Sequence, residues 1–309
     1  MSTASTILMV RPAAFGYNEE TATDNFFQHR PGGSQQSVQE MALLEFDRMT
    51  DTLRAAEVDL LIIEDTATPP KPDAIFPNNW LSTSPAGKLF VFPMSSPARR
   101  AEKREEILQQ LAARFKVSDL QDWTEFEAEG RFLEGTGSMV VDHDHQMIYA
   151  AISERTNLSV LEKFAATNGY QAIVFLATDP EGRPVYHTNV MMALGEQFAV
   201  LCEEAIEEEW ELIAVRQLLE STQHTIIPIS REQMKQFAGN MLEVRNRKGE
   251  AILVLSQTAF DALREEQRQQ LGQFARLLPV AVPTIEQAGG GSVRCMMAEI
   301  FLERKTDPV

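Results

Sequence analysis

Few side chains in this 309-residue chain could do covalent chemistry, and its two cysteines come first. Cys295 lies in Gly289-Gly-Gly-Ser-Val-Arg-Cys-Met-Met, where three consecutive glycines leave backbone that no side chain obstructs. Such a loop suits a tight turn or the close approach of a ligand. A cysteine emerging from it at the start of a strand is accessible enough to react, and Arg294 beside it would favour thiolate. The competing reading is a small buried apolar side chain, the commoner fate of a free cysteine. The glycine run favours the nucleophile. Cys202 ends the apolar run Phe198-Ala-Val-Leu-Cys and reads as inert filler.

A nucleophile needs a proton acceptor. Among the five histidines, His187 in Tyr186-His-Thr-Asn189 stands at the mouth of a β-type run, after the turn Asp179-Pro-Glu-Gly182. It could serve a thiol arriving from another strand mouth. His143 and His145 alternate with Asp142 and Asp144, but this is the polar turn of a hairpin, and a His-x-His pair without further ligands is poor evidence of a metal site. His29 and His224 have no supporting pattern. Glu134, in Arg131-Phe-Leu-Glu-Gly-Thr-Gly137, precedes a strand start as His187 does. Its G-x-G lacks the third glycine of a dinucleotide fingerprint, and no Walker-type loop occurs.

These residues are far apart in sequence, so the elements between them must bring them together. Apolar residues at helical spacing mark amphipathic helices over residues 38–56, through Met41, Leu44, Phe46, Met49 and Leu53, and over 101–115, 158–167, 203–220 and 258–277. The acidic run Glu207-Glu208-Glu209 reads as the solvated face of one of them. Between the helices lie paired β-type runs. The first members are Asn79-Trp-Leu-Ser-Thr, Gly137-Ser-Met-Val-Val, Asn189-Val-Met-Met-Ala and Asn240-Met-Leu-Glu-Val. Their partners are Leu89-Phe-Val-Phe, Met147-Ile-Tyr-Ala-Ala, Phe198-Ala-Val-Leu and Ala251-Ile-Leu-Val-Leu. Successive starts are 58, 52 and 51 residues apart, and a further run from Cys295 begins 55 residues after Asn240.

The partner missing from that last run is Thr6-Ile-Leu-Met-Val-Arg11, at the other end of the chain. Five strand–strand–helix units closed by pairing the termini leave no unpaired end strand. The alternative is an ordinary α/β sandwich with evenly spaced hairpins. In the ring, Asn79, Glu134, His187 and Cys295 stand at equivalent ends of successive hairpins and converge on one central hollow.

Composition narrows the function classes. Apolar residues make up 44% and charged residues 24%, which excludes a mostly disordered chain. A net charge of −17 repels phosphate backbones, so no nucleic-acid partner is expected. Apolar stretches such as Leu60-Leu-Ile-Ile63 are far too short to span a bilayer, and residues 1–10 lack the basic start of a signal peptide. Two cysteines make no disulfide framework. A cytoplasmic protein is expected. The Pro-rich stretch 68–73 is too short to separate domains, so a single catalytic domain over 1–309 is expected.

These residues resemble the guanidine-modifying, or pentein, superfamily, arginine deiminase- and amidinotransferase-related. The matching stretches are Pro72-Asp-Ala-Ile-Phe-Pro-Asn-Asn79, Phe132-Leu-Glu-Gly135, Ser153-Glu-Arg-Thr156, His187-Thr-Asn189 and Gly290-Gly-Ser-Val-Arg-Cys295. The resemblance implies an α/β fold, a five-bladed propeller with pseudo-fivefold symmetry. It implies Cys295 as nucleophile, His187 as general acid/base and Glu134 as a carboxylate that holds a substrate nitrogen. Asp73, Phe76, Asn79, Asn189 and Arg155 become substrate-binding residues, with Phe76 packing on the planar group and Arg155 taking a substrate carboxylate. No metal or organic cofactor is expected.

Two departures from the superfamily pattern bear on the substrate. Guanidine hydrolases have a carboxylate where this chain has Asn79, and His-x-Asp where it has His187-Thr-Asn189. An asparagine is neutral and offers donors as well as an acceptor, which suits the carbonyl oxygen of a ureido group. The stretches Val10-Arg-Pro-Ala-Ala-Phe-Gly-Tyr-Asn18 and Thr21-Ala-Thr-Asp-Asn-Phe-Phe-Gln28 also look like the citrulline-utilisation hydrolase branch. The expected activity is hydrolysis of citrulline, or a close analogue, to ornithine, carbon dioxide and ammonia. The alternatives are an arginine deiminase, dihydrolase or amidinotransferase, a non-catalytic binding protein on the same ring and, more remotely, a metal-dependent hydrolase. Succinylarginine dihydrolase, which handles a guanidine with asparagine in its pocket, keeps the first of these open. The expected partner is a small amino acid, citrulline- or arginine-like; self-association is left open.

Overall fold

A computed structural model describes residues 3–306. Its strands begin with β1 (Thr6–Arg11), β2 (Asp59–Glu64), β3 (Leu81–Thr83), β4 (Lys88–Val91) and β5 (Asp119–Asp122). There follow β6 (Val140–Asp142), β7 (Met147–Ala151), β8 (Gln171–Phe175), β9 (Met192–Leu194) and β10 (Phe198–Leu201). The last are β11 (Thr225–Pro228), β12 (Leu242–Arg245), β13 (Ala251–Ser256), β14 (Arg276–Val280) and β15 (Ala298–Ile300). They form five three-stranded sheets, β15-β1-β2, β3-β4-β5, β6-β7-β8, β9-β10-β11 and β12-β13-β14. The chain is thus a mixed α/β fold whose five small sheets fit a five-blade arrangement.

Each sheet repeats one plan. A short first strand pairs antiparallel with a buried middle strand, and the chain then returns through a helix to a third strand parallel to the middle one. The sheet that joins the two ends of the chain obeys it too: Thr6 opposes Ile300 antiparallel, and Thr6 aligns with Asp59 in parallel. Among the first strands, β15 lies against β3, and β9 lies against both β6 and β12.

The middle strands are apolar through their centres because both faces are covered, with polar residues such as Thr6, Arg11, Lys88 and Ser256 only at their ends; β10 is entirely buried and β13 nearly so. The third strands are missing from the sequence-based scheme. They are sheet edges open to solvent, most of all the exposed Asp119-Leu-Gln-Asp122 of β5; Pro228 ends β11 and Pro279 lies within β14.

The helices depart from the expected boundaries in instructive ways. The first spans Gln35–Ala55, and the Ser34 side chain accepts the Ser37 N–H at its N-terminus. It buries Val38, Ala42, Phe46, Met49 and Leu53, whereas Met41 and Leu44 face solvent. The stretch 203–220 is a short 3-10 turn followed by helix Glu209–Ser221. The stretch 258–277 breaks into Gln257–Ala262 and Glu265–Leu271 before its end becomes part of β14. Among the described residues, no helix is long and apolar enough to cross a membrane.

Candidate active site

The residues singled out by the repeat do not lie on strands. They sit in tight turns immediately before the first strand of each sheet. Asn79 ends the 3-10 turn Pro77–Asn79 before β3, and Glu134 caps the short helix Gly135–Ser138 before β6. His187 caps the turn Thr188–Val190, which holds Asn189, before β9. Asn240 precedes β12, and Cys295 lies in a turn closed by its own N–H to Ser292 O before β15. A turn at this point directs a side chain past the strand end. Five equivalent turns therefore surround one place.

There a small, tightly packed cavity is lined by Cys295, His187, Asn79, Asp73, Phe76, Arg155 and Arg99, among others. Its aromatic wall depends on the glycine run. A Cβ at Gly289 would lie 2.8 Å from the Phe76 ring, so only glycine lets the ring lie on this backbone. Gly290 (φ +63°) ends helix Pro283–Gly289 in the left-handed conformation, and Tyr186 Oη donates to its carbonyl at 2.7 Å. Asp73 and Phe76 are delivered by a loop pinned from within. The fully buried Lys71 Nζ donates to Thr66 O and Pro69 O at 2.7 and 2.8 Å, and Asp65 lies 3.3 Å away.

His187 and Glu134 form a buried pair, with Nε2 2.9 Å from Oε2. Glu134 Oε1 accepts the Ser95 N–H at 2.9 Å, so both carboxylate oxygens are engaged. Burial alone would raise the Glu134 pKa, but Arg155, the His187 hydrogen bond and Arg99 overcome it and hold it at about 2. An ionised carboxylate only accepts, so Nε2 of His187 carries the proton and Nδ1 offers a lone pair. Burial lowers the His187 pKa despite Glu134, and the imidazole is neutral near neutral pH. Glu134 thus faces the imidazole and orients it, rather than lying open to a substrate nitrogen.

Asn79 is oriented by Arg99, whose Nη1 donates to Asn79 Oδ1 at 2.8 Å. A guanidinium has no acceptor, so the amide can sit only one way round. Its Nδ2 is buried without a partner. Across the cavity Asp73 Oδ2 accepts from Asn18 Nδ2 at 2.7 Å, while Asp73 Oδ1 has no partner, and burial raises this carboxyl group's pKa. The cavity therefore presents an unpaired amide donor and an unpaired carboxyl oxygen, besides the lone pair of His187 Nδ1 and two guanidinium groups.

Gly137 leaves room at the same place: a Cβ there would lie 2.4 Å from Asn79 Nδ2 and 2.8 Å from His187 Nδ1. The Cys295 sulfur is 3% exposed as a residue and has two amide neighbours, Asn240 Nδ2 at 3.3 Å and Asn189 Nδ2 at 3.6 Å.

Arg155 lines the cavity, but its Nε donates to Asp24 Oδ2 at 2.7 Å and its Nη2 to Asp24 Oδ1 and Thr21 O. The group expected to take a substrate carboxylate is held here by a carboxylate of the chain itself. Asp24 belongs to a stretch that covers the site, with Asn18 and Thr21 on Asp73 and Asn25 Nδ2 on the Gly289 and Gly290 carbonyls. The sequence marks this stretch only by resemblance and gives its polar residues no individual role, and it does not point to Arg99 or Glu102 at all. Arg99 makes a two-pronged buried pair with Glu102 at 2.9 and 3.0 Å. No spacing announces it. Asn240 was visible as a repeat start but had no assigned role.

The other histidines lie elsewhere. His143 Nδ1 is 2.7 Å from Tyr170 Oη, and its ring packs edge-on against Phe301. His145 leans on Asp142 at 2.8 Å, and His224 is buried beside Thr222. Among the described residues, no group of three or more His, Cys, Asp or Glu side chains is arranged to hold a metal ion.

A family model described as N,N dimethylarginine dimethylhydrolase, eukaryotic, matches residues 11–302. The fold resembles the N-terminal domain of ArgZ bound to product, an arginine dihydrolase from the ornithine–ammonia cycle in cyanobacteria. The two are 13% identical over 95% of this chain and 96% of that one, with a TM-score of 0.74. AgrE in a binary complex with L-arginine is 14% identical at a TM-score of 0.74; the match spans 98% of this chain but only 41% of that one. A dimethylarginine dimethylaminohydrolase adduct with 4-chloro-2-hydroxymethylpyridine is 18% identical over 96% of this chain and all of that one, at a TM-score of 0.67. No curated protein matches the chain significantly. The chain belongs to the N,N dimethylarginine dimethylhydrolase family and, with it, to the pentein superfamily.

Proposed function

We propose that this family member is a cysteine-dependent hydrolase of a ureido group, that of citrulline or a close analogue, built as one closed five-bladed catalytic domain over 1–309. The observation that carries the reading is the fixed amide of Asn79. Arg99 occupies its oxygen, so the buried Nδ2 is left as a donor in need of an acceptor. A ureido group has a carbonyl oxygen for it and N–H groups for Asp73 Oδ1. A guanidinium has donors only, and would set them against Nδ2 and beside Arg99.

In the proposed reaction the Cys295 proton passes to Nδ1 of His187 as sulfur bonds to the ureido carbon. Negative charge then gathers on the oxygen, where the Asn79 donor is worth about 3 kcal/mol by analogy with other oxyanion donors. The imidazolium, held by Glu134, gives its proton to the leaving nitrogen as the C–N bond breaks. A water deprotonated by His187 attacks the thiocarbamoyl carbon and releases Cys295. The overall balance is citrulline plus water to ornithine, carbon dioxide and ammonia. Phe76 packs on the planar group. Arg155 serves the substrate carboxylate only when Asp24 shares or yields it.

The second reading is a guanidine substrate, arginine or an N-methylated arginine, favoured by the family description and by the unpaired Asp73 oxygen. Incubation with citrulline, arginine and dimethylarginine in separate reactions, followed by assays of ornithine, ammonia and methylamines, decides between them. Ornithine from citrulline is the expected result. Turnover of a guanidine substrate alone would reject the ureido reading.

A further inference from the structure

Three of the five turns line the cavity, through Asn79, His187 and Cys295, and two reach it through a neighbour, Glu134 on His187 and Asn240 on Cys295; the proposed reaction gives work to all but the last. The fourth turn along the chain supplies Asn240, which is fully buried. Its side chain is held at both ends. Oδ1 accepts the Arg294 N–H at 3.2 Å, while Nδ2 donates to Asn189 O at 2.9 Å and lies 3.3 Å from the Cys295 sulfur. The backbone donor at Oδ1 and the backbone acceptor at Nδ2 permit one orientation of the amide only. One N–H therefore goes to the Asn189 carbonyl, and the second faces sulfur.

Asn189 is placed less decisively. Its Nδ2 is 3.6 Å from the sulfur and its Oδ1 3.8 Å, so its amide lies side-on and shows sulfur a donor and an acceptor alike. A neutral thiol gains little from an N–H donor, because sulfur is a weak acceptor until it is charged. Burying and locking a donor against Sγ is useful to an anion. No cationic side chain forms a salt bridge or a hydrogen bond with Cys295 among the described residues. Arg294, its neighbour in sequence, turns away to Met297 O and Glu299 at 2.9 and 3.0 Å.

We propose that Asn240 is a catalytic residue of this site: its locked amide N–H holds the Cys295 sulfur as the thiolate and fixes the direction of its attack. The same amide also joins the turn before β12 to the turn carrying Cys295 through the Arg294 N–H. A purely structural role would use that bond and the one to Asn189 O, and would not need the N–H facing sulfur.

The two roles are told apart by the thiol's behaviour in Asn240→Asp. That change keeps an oxygen for the Arg294 N–H but replaces Nδ2, the donor to both Asn189 O and sulfur, by an oxygen. Stability then reports the structural bond, and the alkylation profile reports the contact with sulfur. Asn240→Ala removes the donor without adding charge and remains informative if the aspartate variant fails to fold. The reading is the rate of Cys295 alkylation by iodoacetamide against pH, in which the S–C bond forms and iodide leaves. The Cys295→Ser protein provides the background from Cys202, and melting temperatures are recorded in parallel.

Thiolate formation in the folded variants should shift upward by one pH unit or more, so that alkylation at neutral pH slows at least about tenfold. The shift should be larger for aspartate than for alanine. Alkylation profiles that superimpose on that of the unaltered protein, in a variant that melts where it does, would overturn the proposal. So would loss of stability in both variants with the profile of the surviving folded protein unchanged. Iodoacetamide does not depend on the natural substrate, so this result stands apart from whether citrulline or a guanidine is turned over.

Discussion

The two cysteines of this chain share a side chain and deep burial, and differ in what surrounds the sulfur. Cys202 follows β10 in the interior of the largest apolar cluster, entirely buried, and burial pushes its thiol up to about 12. Cys295 is almost as buried, at 3%, and also belongs to an apolar cluster, with Phe76 and Met296, but polar groups reach it as well: two amides on the sulfur, a neutral imidazole on the same cavity, and two guanidinium groups in the wall. Burial is common to both thiols. What differs is the presence of polar groups within reach of the sulfur.

The largest test of that contrast is to remove each sulfur in turn. Cys295→Ser should abolish turnover, by at least about a thousandfold, since hydroxyl is a far weaker nucleophile at neutral pH. Cys202→Ser should leave kcat/KM within about threefold while lowering stability by about 1–3 kcal/mol, because a hydroxyl is buried among apolar neighbours. Steady-state kinetics and thermal unfolding measure the two effects. Equal losses of activity would end the distinction.

Next in size is the space that admits polar groups to the Cys295 cavity. Gly137→Ala would set a methyl group 2.4 Å from Asn79 Nδ2 and 2.8 Å from His187. Both groups must move, and a displacement of about 1 Å costs roughly a hundredfold in rate. The loss should appear in kcat, with little change in unfolding temperature if the site relaxes outward. An unchanged kcat would show that neither group is needed where the structure places it.

Asn79→Asp probes the substrate preference rather than the rate. It exchanges the donor for a carboxylate oxygen and pairs that carboxylate with Arg99. Citrulline turnover should fall by about a hundredfold or more, the scale of removing one oxyanion donor, while any guanidine turnover falls less or rises. The ratio of the two kcat/KM values reads the effect. An unchanged ratio would detach the Asn79 amide from substrate choice.

Much of this was legible in the sequence, for a physical reason. The middle strands β4, β7, β10 and β13 are buried on both faces and read as unbroken apolar runs. The repeat starts stand out because each precedes such a pair. The third strands stayed hidden because they are edges open to solvent: β5 reads Asp-Leu-Gln-Asp and shows no strand pattern. The helix at Gln35–Ala55 was found, but its face was misjudged, since Met41 and Leu44 are apolar yet point outward. In the site, Cys295, His187, Asn79, Asp73 and Phe76 were marked by motifs and do line one cavity. Arg99, Asp24 and Asn18 carry no local signal. Each is a single polar residue in a loop or, for Arg99, in the short helix Pro97–Arg100, and its importance comes from a partner set by the fold, 20 residues away for Arg99 and Asn79, and 131 for Arg155 and Asp24.

The smallest expected effect lies in the pH dependence, where Cys295 and Cys202 differ through the base available to one and not the other. His187 must be neutral to accept the Cys295 proton, and burial keeps its pKa below the ordinary 6.5. The acid limb of kcat/KM should therefore lie below pH 6.5. Glu134 is the anion that raises the imidazole pKa against burial. Glu134→Gln removes it, so the acid limb should move further down, while kcat falls because the imidazolium formed during attack loses its counter-charge. The sign also fixes a stability effect. Unfolded His187 takes a proton near 6.5 that the folded form refuses, so this residue erodes stability as pH falls through that value. An acid limb that moves upward in Glu134→Gln would mean that the carboxylate does not act on His187, and the contrast between the two thiols would need another base.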